Sequence, residues 1–204
     1  MNFIKSFVTG NVLGNLPYDF DPKSDSISLD HWLLFDGKSK NEKKSKVTVW
    51  QSQTDYKILC RNTWTRFKTL RHPNLVEYKD GIETSNGTIY IITESIQPLE
   101  HMLQSSLSNA SLNDQGWKWG LQSILSALEF LNSECQLIHG MIHPKSIFIT
   151  LGGQWKLAGY ELCTGRIIYL RLKLFSKCTI IEFKSNTHLV SNDRLNSLYK
   201  SPGK

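Results

Sequence analysis

Short apolar runs with β-branched and aromatic residues alternate with polar breaks in the first half of the chain. "HWLLF" and "KVTVW" flank the polar "DGKSKNEKKS" between residues 31 and 50, which predicts strand, loop, strand, with Gly37 in the turn. Residues 55–70 change to a helical period, placing Cys60, Trp64 and Phe67 on one face, and Pro73 of "RHPN" stops the helix. "LVEYKDGIE" and "GTIYIITES" read as a hairpin around Ser85-Asn86-Gly87, closed by Pro98. The second half begins with a short helix over 99–107. A longer one opens near Ser111 to Asp114 and runs to about Ser133. Its stripe of Trp117, Leu121, Ile124, Leu125, Leu128 and Leu131 reads as core. "SIFIT" and "QWKLAGY" then form a small hairpin at Gly152-Gly153.

Composition adds limits. Of 204 residues, 40% are hydrophobic and 21% charged, an ordinary globular balance. No apolar run approaches the roughly 18 residues that span a bilayer. The opening "MNFIKSFVTGNVLG" is mildly amphipathic and a poor secretory signal, so an N-terminal arm packed on the domain is expected; peripheral membrane contact is the lesser reading. The four cysteines show no metal spacing and are expected as free thiols. Residues 1–165 hold 16 Lys+Arg and 16 Asp+Glu, which cancel; residues 166–204 hold 8 and 2, so the net +6 belongs to the tail. The body therefore offers no argument for binding nucleic acid, and the run Lys38 to Lys46 reads as a solvated hairpin loop.

Four segments, in order, resemble protein kinases. "TLRHPNLVEY" resembles the corner between helix C and strand four. "IYIITESI" resembles strand five and the hinge, with Thr93 as gatekeeper and Glu94-Ser95-Ile96 as hinge. "LIHGMIHPKSIFIT" resembles the catalytic loop, and "QWKLAGYE" the segment of the Asp-Phe-Gly triplet. The predicted class is α+β: a two-lobed kinase-like fold with a complete N-lobe and the first part of a helical C-lobe. Its parts are an arm over 1–30, an N-lobe over 31–97, a partial C-lobe over 98–165 and a basic tail over 166–204.

Phosphoryl transfer needs charges at a few fixed places. The strand-three Lys falls on Trp50 and the helix-C Glu on Thr63. The catalytic-loop Asp falls on Met141, the loop Lys on His143, the metal-binding Asn on Ser146 and the Asp of the triplet on Gly159. Catalytic residues are thus expected to be absent, and packing cannot replace the missing electrostatic terms. Glu161, Lys145 and Lys156 are the residues that could compensate. The spacing of His139 and His143 invites a metal reading, but on a loop His139 reads better as part of the apolar spine with Phe67, Tyr78 and Tyr160. The nucleotide pocket is vestigial, with Gly37, Thr48, Thr93, Glu94, Ile96 and Phe148. Thr48 and Phe148 stand where Ala and Leu sandwich adenine, and Phe148, larger than Leu, is expected to crowd that pocket. No cofactor and no metal are expected, and ATP binding is weak at most.

"RFKTLRHPN", "IITESIQPL", "SLNDQGWKWGLQSILSALEFLNSECQLIHG" and "GGQWKLAGYE", together with the opening arm, resemble the Scy-like pseudokinases, also called N-terminal kinase-like proteins. The resemblance covers about residues 1–165 and touches "NDRLNSLYKSP". It implies an inactive kinase-like domain followed by helical repeats, acting as a cytoplasmic scaffold in Golgi–ER vesicle traffic through coat proteins. The chain stops before those repeats, and residues 166–190 match nothing expected there. Two alternatives stand beside the scaffold: a residual ATP-binding kinase, and a truncated gene-model fragment. Autophosphorylation abolished by Glu161→Ala supports the first; a transcript continuing in frame past Lys204 supports the second.

Overall fold

The computed structural model describes residues 16–22, 24–40, 45–106 and 114–166. Every described residue lies within the unit Met1–Tyr169.

The first layer is an antiparallel sheet of β1 (Tyr18–Phe20), β2 (Ile27–Leu29), β3 (Trp32–Ser39), β4 (Lys46–Ser52), β5 (Tyr78–Glu83) and β6 (Ile89–Glu94). The order is β1-β3-β4-β6-β5, with β2 also paired to β3. Alternation along β4 sorts its side chains. Val47 and Val49 join Leu16, Phe35, Tyr90 and Ile92 in an outer cluster, while Trp50 joins Trp32, Leu34, Ile91 and Phe67 in the main core. Both faces are buried, so this sheet reads as runs of apolar residues more than as clean alternation.

The predicted arm is sheet in part. β1 and β2 are built from residues given to it, and Leu16, Tyr18 and Phe20 cover the outer face of the sheet. Gly37 is also corrected. It lies inside β3, paired with Phe20 on one side and Val47 on the other, and faces the outer cluster, away from the cleft. A Cβ there would stand 3.1 Å from Val47 Cγ2 and 3.2 Å from the Asp19 carbonyl, so close strand packing rather than a turn requires the glycine. Residues 41–44 of the basic run lie outside the described residues.

Helix α1 (Lys57–Thr69) follows a 3-10 turn at Thr54–Tyr56 and buries Leu59, Cys60, Thr63 and Phe67. Leu70 leaves it in extended geometry, one turn before Pro73, as the sequence predicts. Gly87, at φ 81°, makes the β5–β6 turn. Pro98 does not end β6. It sits in a separate strand, β7 (Ile96–Pro98), pairing with Phe148. β7 is an edge of the sheet β10-β9-β7, where a residue without N–H is tolerated.

The second layer holds α2 (Leu99–Ser106), α3 (Asp114–Glu129), β8 (Leu137–Ile138), β9 (Ile147–Thr150), β10 (Trp155–Leu157) and β11 (Thr164–Gly165). A π-helical turn at Phe130–Glu134 continues α3. The capping residues Ser111 to Asn113 lie outside the described residues. The α3 stripe is core only on one side. Ile124, Ala127 and Leu131 are buried and Trp117 meets Trp155 edge-on at 5.4 Å, but Leu121 is 52% exposed, Leu125 66% and Trp119 67%. The stripe is wider than the single surface it packs on among the described residues.

Gly120 marks the closest approach. A Cβ there would lie 2.3 Å from the Trp155 ring. Gly120→Ala, which in an open helix gains about 1 kcal/mol, is expected here to destabilise by roughly 1–3 kcal/mol in urea unfolding.

Candidate functional site

The cleft between the layers is floored by β4 and the Glu94-Ser95-Ile96 connection. Strand alternation points Thr48 and Trp50 into it. Trp50 is 1% exposed. Its indole N–H donates to Thr93 Oγ1 at 3.1 Å, and its ring packs against Phe148 at 5.1 Å, Phe67 at 5.4 Å and Trp32 at 5.9 Å. Thr48 Oγ1 accepts from the Ile96 N–H at 3.0 Å and lies 3.2 Å from the Ile96 carbonyl. A hinge group that would receive a base edge is therefore bound to a side chain, and the Phe148 ring is packed on Trp50.

On α1, Thr63 is fully buried and its hydroxyl has no partner among the described residues. Its neighbour Asn62 carries the polar contact of this helix. The Asn62 amide nitrogen lies 2.9 Å from the Tyr160 and Glu161 carbonyls and 3.0 Å from that of Cys163. It ties α1 to the segment after β10 without any charge.

The catalytic-loop positions are engaged in holding the loop. His139 donates through Nε2 to the Ala158 carbonyl at 2.9 Å and accepts from the Met141 N–H at 3.4 Å. The rings Phe67, Tyr160 and His139 form a column, at 5.2 and 5.7 Å. Tyr78 stands in β5, half-buried, with its hydroxyl 3.5 Å from the Trp64 indole nitrogen and its ring facing Arg71. His143 and Ser146 cap the 3-10 turn Pro144–Ser146 reciprocally. Among the described residues no group of three or more His, Cys, Asp or Glu is placed to hold a metal.

Gly159 has φ 78°, and a Cβ there would meet Ser146 Cβ at 2.8 Å. The three compensating residues are occupied. Lys156 Nζ pairs with Glu94 at 2.7 Å, itself bonded to the Glu77 N–H; Lys145 Nζ pairs with Asp30 at 2.8 Å; and buried Glu161 accepts from the Trp32 indole N–H at 2.6 Å. Sequence reasoning missed Asp30, Trp32 and Asn62. Each looks like an ordinary strand, turn or helix residue, and its partner lies about 100 or more positions away.

No family model matches the chain. Individual proteins do. It is 35% identical over 154 residues to the probable inactive serine/threonine-protein kinase scy1 of Dictyostelium discoideum, covering 72% of this chain and 18% of that protein. It is 28% identical over 169 residues to cytoplasmic export protein 1 of Saccharomyces cerevisiae, covering 81% of this chain and 21% of that protein. The crystal structure of Cex1p superposes with a TM-score of 0.63 at 27% identity, covering 74% of this chain and 28% of that one. The chain belongs to the Scy1-like pseudokinase family. It spans about one fifth of the length of these Scy1-like relatives, and its described residues form the kinase-like sheet, helix and first C-lobe elements of the fold.

Burial pushes the His139 imidazole of this Scy1-like chain down to about 4. Between pH 6.5 and about 4 the unfolded chain takes up a proton that the folded chain refuses, so stability falls as pH drops through this window. The loss is on the order of 3 kcal/mol at its lower end. Urea unfolding of wild type and His139→Gln across that range is expected to show this slope in the wild type and its reduction in the variant. Gly159→Asp, which restores the metal ligand in name, is expected to lose roughly 2–4 kcal/mol, because the left-handed backbone and Ser146 both oppose a side chain.

Proposed function

We propose that this chain is a non-enzymatic, nucleotide-independent binding module, the kinase-like part of a scaffold acting in cytoplasmic transport. The observation that carries the reading is Trp50. It places a buried indole, bonded to Thr93 and packed on Phe148, at the position where the motifs put the phosphate-binding cation. Active phosphoryl transfer depends on cations and metal ligands aimed at the phosphates. Here Met141, Ser146 and Gly159 supply none, and Lys145 and Lys156 are paired elsewhere. The relatives' names support the same reading, one being a probable inactive kinase and another a cytoplasmic export protein. Vesicle-coat components as partners, and a Golgi-associated cytoplasmic location, follow from the family resemblance and complete the proposal.

Two measurements test it. ATP at millimolar concentration, with or without magnesium, is expected to move the melting temperature by less than about 2 °C; a larger, saturable shift contradicts the proposal. Trp50→Lys is expected to restore no phosphotransfer and to cost roughly 3 kcal/mol or more, because the ammonium would be buried among the rings of Trp32, Phe67 and Phe148. Capture of coat components by the folded chain, unchanged by ATP, is the positive result expected; capture that requires ATP refutes the nucleotide-independent reading.

A further inference from the structure

The turn between β2 and β3, Asp30-His31-Trp32, makes contacts out of proportion to its length. The Trp32 indole, 2% exposed, passes from the sheet layer to Glu161 in the lower layer and donates to its carboxylate at 2.6 Å. It also meets Trp50 edge-on. The His31 carbonyl accepts from the Gln53 N–H at 3.0 Å and lies 3.8 Å from Cys60 Sγ, while the His31 ring packs edge-on against Tyr56 at 4.4 Å. Asp30 receives the Lys145 ammonium from the loop below. Glu161 is 2% exposed, and its second oxygen has no partner among the described residues.

We infer that this turn is a built-in clasp: Trp32, docked on Glu161, holds the sheet layer onto the lower layer, with Asp30 and Lys145 as an outer pair. The inner contact is the strong one, because a hydrogen bond to a carboxylate gains strength where water is excluded. The outer pair is half-exposed and screened, and contributes little. Swinging the turn away would leave a buried carboxylate without its donor, which opposes opening. The inference rests on these contacts alone, whether or not the chain is a transport scaffold.

The test is proton exchange at the indole N–H groups, followed by NMR on tryptophan-labelled protein, with Trp32→Phe assigning the resonance. In the wild type the Trp32 indole N–H is expected to exchange at least about 100-fold more slowly than that of exposed Trp119. Glu161→Met is expected to accelerate Trp32 exchange at least roughly fivefold and to leave that of Trp155, in the lower layer, within about twofold. Should Glu161→Met not fold, Glu161→Gln, which keeps the shape and removes the charge, is read by the same criterion. Fast exchange of Trp32 in the wild type, a smaller change in the variant, or equal acceleration at Trp32 and Trp155 overturns the clasp.

Discussion

One buried indole, that of Trp50, organises the core between the two layers. Trp50 is large, neutral and buried, so its surroundings must be apolar or able to receive one N–H. Thr93 receives it, and Phe67, Phe148 and Trp32 supply the rings. Aromatic packing of this kind stabilises by area and edge-to-face geometry, neither of which needs a ligand. Trp50, Phe67, Phe148 and Trp32 all belong to one continuous core.

Polar groups near the cleft have become struts. Asn62 binds three carbonyls beyond β10, Lys156 binds the connecting residue Glu94, and Ser146 caps its own loop. In an active kinase, helix C is coupled to the sheet by an ion pair and to the phosphates through it. Here α1 is coupled to the lower layer by an uncharged amide, independently of any bound charge. The ring column Phe67, Tyr160 and His139 joins the same layers by contact alone.

Much of this was legible in the primary structure. The order of elements, α1 and its stop at Leu70, the Asn86-Gly87 turn, the α+β class and the Scy1-like membership follow from local pattern and motif. The misreadings have separate causes. Glycine is a turn signal, but Gly37, which relieves a close strand contact, looks the same in one dimension. Pro98 is a strand breaker only where its missing N–H would be paired, and an edge strand spares it. The arm conceals two strands because three-residue segments carry no period. The apolar stripe of α3 reads as core along its whole length, yet apolarity states what a residue prefers and not whether a surface is present to cover it; Leu121 and Leu125 are exposed.

The sequence by itself determined the kinase-like frame, because it depends on residue identity at positions that local motifs locate. Which residues tie the two layers together was decided only by the tertiary structure. Trp32 meets Glu161 across 129 positions and Asn62 meets Tyr160 across 98. Such contacts arise when the sheet curls over the lower layer, and no periodicity along the chain encodes a distance across it.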